Sequence, residues 1–150
     1  MQTRRTALAL LAATPFAGLA TRSFAAEPAI YAPMGVAINN ADPVAYFTEM
    51  APVAGSPDFA FDWQGATWHF ASGANRDAFA DNPDRYAPAF GGYCAFAASR
   101  GYLAPTIPEA WTVYEDRLYL NANLRARELW LAELPDVIAA GEANWPAILG

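Results

Sequence analysis

Apolar and polar positions alternate most clearly between residues 59 and 70. Phe59-Ala60-Phe61-Asp62-Trp63 and Ala66-Thr67-Trp68-His69-Phe70 are β-prone runs. Gln64-Gly65 between them predicts a tight hairpin turn, with glycine supplying the positive φ. Period two puts Trp68 and Phe70 on one face of the second strand, and Thr67 and His69 on the other. Ser72 is placed to cap a short helix over residues 73–80, with Ala78 and Phe79 turned back onto the hairpin; Asp81-Asn82-Pro83 ends it. A second hairpin is expected from Trp111-Thr112-Val113-Tyr114 and Leu118-Tyr119-Leu120-Asn121, turning across Asp116-Arg117. Asn123 then caps a closing helix whose apolar positions Leu124, Trp130, Leu131 and Leu134 recur at helical spacing. Pro135 kinks that helix or starts another running towards Trp145.

The remaining segments carry weaker patterns. Residues 27–33 read as a loose lead-in and residues 35–38 as a short strand. Asp42-Pro43 makes a turn, because proline fixes its own φ and moves the preceding residue out of the helical region. Residues 51–58 are a surface loop, and residues 84–108 are rich in Gly, Pro, Tyr and Ala without a clear period. The expected fold class is α+β: one small domain of two β-hairpins, short helices and a C-terminal helix.

The first 25 residues change this picture, since they read as an export leader. Arg4 and Arg5 open it, an apolar run follows over residues 7–20, and Ser23-Phe24-Ala25 offers small residues for cleavage after Ala25. The adjacent arginines point to the twin-arginine route, with an ordinary secretory signal as the alternative. The apolar run falls short of the ~20 residues a membrane span needs. Residues 26–150 are then the mature domain, expected in the periplasm or outside the cell. Taking Arg4, Arg5 and Arg22 from the nine basic residues leaves six against 15 acids, a formal charge of −9, and there is no lysine. Such a surface disfavours nucleic acid and anionic membranes as partners. With 55% apolar residues the chain can bury a core without cross-links, and one cysteine permits no internal disulfide.

Candidate chemistry therefore rests on few residues. Cys94, in Gly91-Gly92-Tyr93-Cys94-Ala95-Phe96, is either a small buried hydrophobe or a thiol in use. His69 is the only histidine, and a lone histidine on a strand is commonly structural. Together they could form an activated thiolate, or offer a soft and a borderline ligand to a metal such as copper. Two ligands do not make a structural zinc site, which wants four. Met34 and Met50 could add thioethers for Cu(I), or be filler. Asp42, Asp77, Asp81 and Asp84 all have turn or cap roles available. Ser72 lacks the His and Asp spacing of a nucleophile, and the pairs Trp63 with Trp68 and Trp111 with Trp130 read as core.

Several motifs come in the order and rough spacing of one family. They are Asp42-Pro43-Val44-Ala45-Tyr46-Phe47, Trp68-His69-Phe70-Ala71-Ser72, Phe79, Asn82-Pro83-Asp84-Arg85-Tyr86, Gly91-Gly92-Tyr93-Cys94-Ala95 and Trp145-Pro146. The chain resembles the YHS domain family, in particular an exported branch sometimes named as selenoproteins. The resemblance implies a YHS or treble-clef-like core. In metal-type members it implies thiols at the positions held here by Ala45, Ala71 and Asn75, so that role does not carry over. It also implies redox or metal chemistry at Cys94. Three readings follow: a periplasmic module holding a soft metal, most plausibly copper, through Cys94 with His69; a thiol-redox enzyme using Cys94 with an external resolving thiol; or a structural or partner-binding domain with an inert Cys94.

Overall fold

The computed structural model describes Gly18 and residues 24–150. The expected export leader lies almost wholly outside the described residues. Among those described, no helix is long and apolar enough to cross a membrane.

The first hairpin forms where the alternation is strongest. Strands β1 (Ser56–Trp63) and β2 (Ala66–Phe70) pair antiparallel, with Phe61 opposite Trp68 and a bulge between Ser56 and Ala60. Gln64 and Gly65 both take positive φ, as the two-residue turn requires. Ala66, Trp68 and Phe70 are buried while Thr67 and His69 stay half-exposed. Helix α1 (Ala45–Thr48) precedes this hairpin and α2 (Gly73–Asp81) follows it. The Ser72 hydroxyl accepts the Asn75 N–H at 3.1 Å to start α2, and Phe79 turns back onto Trp68 at a ring separation of 5.0 Å. Pro83 ends α2 and opens a single turn, α3 (Pro83–Tyr86).

The second hairpin is made by β3 (Trp111–Tyr114) and β4 (Arg117–Leu120). Its turn is Glu115-Asp116, both at positive φ, one residue earlier than expected, because Arg117 pairs with Tyr114 inside the ladder. This hairpin divides the interior. Leu118 and Leu120 join the first core with Ile38, Tyr46, Trp68, Phe70 and Phe79. Tyr119, between them on β4, faces a second core with Phe90, Ala98, Trp130 and Val137. Trp111 and Trp130 thus fall in different cores: Trp111 packs on Tyr46 at 5.4 Å and Trp130 on Tyr119 at 4.8 Å. Trp63 and Trp68 do meet, at 5.9 Å.

Helix α4 (Ala95–Ser99) lies in the Gly- and Ala-rich stretch that carries no readable period. The closing segment is two helices, α5 (Leu124–Ala132) and α6 (Asp136–Asn144), separated at Pro135. Asn123 caps α5 by accepting the Ala126 N–H at 2.8 Å. The expected apolar face of α5 is only partly used: Trp130 is buried, but Leu124 is 63% exposed and Leu131 36%. Helix α5 lasts only nine residues, too few turns to lay a whole stripe on the core.

Two upstream expectations fail. Residues 27–33 are anchored: Glu27 N–H reaches the Leu149 carbonyl at 2.7 Å, Tyr31 N–H reaches Gly91 at 2.8 Å, and Ile30 is buried. Residues 35–38 form no strand beyond one parallel bridge, Val36 to Thr67. Tight turns occupy Pro33–Gly35 and Ala37–Asn40, and Ile38, Asn39 and Asn40 sit consecutively at positive φ. For a β-branched residue such as Ile38 this is strained backbone.

Burial of tyrosine phenols gives the fold a sensitivity to alkali. Tyr46, which donates to the Pro108 carbonyl at 2.9 Å, has its pKa pushed up by burial, with help from Glu109 and Asp42. Burial raises Tyr93 and Tyr119 too. An unfolded tyrosine ionises near pH ~10. Above that pH the unfolded chain sheds protons that the native state keeps, so this stability is complete below pH ~10 and falls as pH rises. Urea unfolding at about pH 8 and about pH 11 should show the fall, at up to ~1.4 kcal/mol per pH unit from Tyr46, and Tyr46→Phe should reduce the slope.

Candidate functional site

Three positions of interest converge on one buried carboxylate. Asp42 is fully buried, and its Oδ1 accepts the N–H of Val44 at 2.9 Å and of Ala45 at 3.3 Å. Its Oδ2 accepts the N–H of Ala71 and the Nδ2–H of Asn75, both at 2.8 Å. Ala45, Ala71 and Asn75 are the three positions at which the resemblance noted above implies thiols in metal-type members. Here they present N–H donors, and the group at their centre is an acceptor that belongs to the chain. Two alanines and an amide supply no soft donor, so a thiolate-held metal does not fit there. The arrangement is structural: one carboxylate ties the start of α1 to the end of β2 and the first turn of α2, where the helix dipole also favours negative charge.

His69 is held by a clamp one layer away. Asn40 Nδ2 donates to the Gly55 carbonyl at 3.0 Å, and Gly55 N–H donates to the Asn40 carbonyl at 2.7 Å. The first of these bonds fixes the amide, so Asn40 Oδ1 faces His69 Nδ1 at 2.6 Å. Nδ1 must then carry the proton, and in the neutral ring Nε2 is the free lone pair. The ring lines a cleft of about 460 Å³ with Pro33, Met34, Val36, Asn39 and Pro57. Gly55 is obligatory at the clamp, since a Cβ there would lie 2.5 Å from the His69 carbonyl carbon and oxygen.

Cys94 is 2% exposed. Its sulfur accepts the N–H of Ala97 at 3.5 Å, capping α4, and of Ala122 at 3.3 Å; the thiol points to Asn121 Oδ1 at 3.5 Å. Asn121 is itself fully buried and also accepts the Phe96 N–H at 3.0 Å, so thiol and amide together knit the start of α4 to the end of β4. His69 and Cys94 share no hydrogen bond, but the strained turn Ala37–Asn40 links their surroundings. Asn40 holds His69, while Asn39 donates to the Thr106 carbonyl at 2.6 Å and Thr106 donates to Gly92 at 2.7 Å, two residues before Cys94.

Met34 lines the His69 cleft; Met50, 60% exposed, is not among its lining residues. Of the other carboxylates, Asp77 pairs with Arg76 at 3.2 Å and Asp84 lies in the first turn of α3. Among the described residues no group of three or more His, Cys, Asp or Glu side chains is arranged to hold a metal. The roles of Asn39 and Asn40 are absent from the sequence reading. The adjacent asparagines were the available signal, because asparagine tolerates the left-handed region far better than most residues.

Comparison with curated proteins and with solved structures gives no match. Residues 44–90 match the family model described as YHS domain, and that span holds α1, the first hairpin, α2, α3, His69 and all four residues that donate to Asp42. Residues 44–90 of the chain are thus similar to the YHS domain.

Proposed function

We propose that this protein is an exported binding module for a soft metal ion, monovalent copper, with His69 as its first donor. The observation that carries the reading is the Asn40 bond to Nδ1, which leaves Nε2 free on a ring lining an open cleft. An outer partner that fixes the tautomer is the usual companion of a metal-binding imidazole. The YHS assignment supports a metal-related role in general terms. Cys94 is the softest donor in the chain and the rival for this place, although its sulfur is engaged by two backbone N–H groups. A Cu(I) competition titration on residues 26–150 separates the two. Stoichiometric binding that weakens at least tenfold in His69→Ala and persists in Cys94→Ala is the expected result. Loss in Cys94→Ala alone would move the site to the α4 loop, and no binding by the parent protein would reject the metal reading.

A second reading, a structural or partner-binding domain with an inert thiol, is favoured by the near-complete burial of Cys94. It would stand if copper did not bind and peroxide left the native thiol unmodified. Modification by peroxide, resolved by an external thiol, would favour the redox alternative instead.

A further inference from the structure

We infer that Met34 is the second donor of the His69 site, supplying a thioether to Cu(I); this rests on the copper reading above. Two observations single the residue out. It is 99% exposed, the most exposed large apolar side chain in the described residues. It also occupies the third position of the turn from Ala32 to Gly35, closed by the Gly35 N–H to Ala32 carbonyl bond at 2.9 Å, with φ 58 and ψ 24. That position asks for glycine or asparagine. Met34 therefore adds backbone strain to the turn and buries nothing in return. A side chain held in that way calls for a role outside packing.

The place of the turn supplies the role. The bridge from Val36 to Thr67 fastens the turn to β2 two residues before His69, and Met34 and His69 line the same cleft. An imidazole nitrogen and a thioether sulfur, both neutral, suit a soft monovalent ion. They suit Zn(II) poorly, because zinc sites draw on four ligands of harder or anionic character. No carboxylate lines this cleft, which further disfavours the hard divalent cations. Of the other walls, Pro33, Val36 and Pro57 are apolar, and Asn39 and Asn40 are neutral amides, so no fixed charge faces the ion.

The test is a Cu(I) competition titration of the parent protein, Met34→Leu and Met34→Gly, with X-ray absorption of the copper-loaded samples. Leucine keeps the bulk and glycine relieves the turn, so a thermal melt of Met34→Gly no lower than that of the parent excludes misfolding. Both variants should bind Cu(I) about tenfold or more weakly, and the copper–sulfur signal of the parent should vanish in Met34→Leu while persisting in Cys94→Ala. Parent-level affinity and an undiminished sulfur signal in Met34→Leu would overturn Met34 alone if His69→Ala still lost binding. No copper binding by the parent protein would overturn this inference together with the reading beneath it.

Discussion

Replacing Asp42 by alanine is expected to cost about 4 kcal/mol of stability, on the scale set by two orphaned buried donors and two part-buried ones. Three backbone N–H groups, of Val44, Ala45 and Ala71, and the Asn75 amide all donate to that one carboxylate. Each buried donor left without an acceptor costs ~1–3 kcal/mol, reduced where water can enter the space the carboxylate vacates. Asp42→Asn keeps one acceptor oxygen but turns an NH2 group towards donors already in place, so about half the loss is expected. Urea unfolding at neutral pH measures both. A loss below ~1 kcal/mol in Asp42→Ala would mean that the donors find other partners and that the carboxylate does not organise α1, β2 and α2.

Gly55→Ala should be the next most damaging change, at about 3 kcal/mol, the upper range for forcing a methyl into a packed site. The added Cβ would lie 2.5 Å from the His69 carbonyl carbon and oxygen and 2.6 Å from its Cβ. Most of that obstacle is strand backbone, so no rotamer change relieves it. The strand must shift, which breaks the paired bonds between Asn40 and Gly55 and releases the Nδ1 bond of His69. Nitrogen NMR of the His69 ring should then report a mixture of tautomers where the parent shows one. Gly65→Ala is the control: its Cβ meets open space, so only its positive φ opposes the change, at ~1 kcal/mol. Equal stability of Gly55→Ala and the parent would show that the clamp is soft.

The parts of this structure that follow from local rules were legible in the sequence. Period two located both hairpins, and Ser72 and Asn123 cap the helices they were expected to cap. The turn of the second hairpin slipped by one residue because neither Glu115 nor Asp116 advertises a positive φ as glycine does. Residues 35–38 read as a strand because Val and Ile favour one. In the fold Ile38 instead packs closely on Gly92, where a Cβ would come within 2.4 Å, with its backbone in the left-handed region. The aspartate's turn role was visible from Asp42-Pro43. Its second pair of donors was not, since Ala71 and Asn75 arrive only through tertiary folding. For the same reason the sequence offered His69 as a candidate without Asn40, the residue that decides which ring nitrogen is free.

Strand β4 serves both interiors at once, Leu118 and Leu120 on one side and Tyr119 on the other. The span that matches the family, residues 44–90, therefore shares its core with a strand that lies outside it, since Leu118 and Leu120 belong to the same cluster as Trp68, Phe70 and Phe79. Neither core can melt while the other survives unless β4 parts company with itself. The two halves are one cooperative unit, and damage to the distal helices is felt beneath the His69 hairpin through a single shared ribbon of chain.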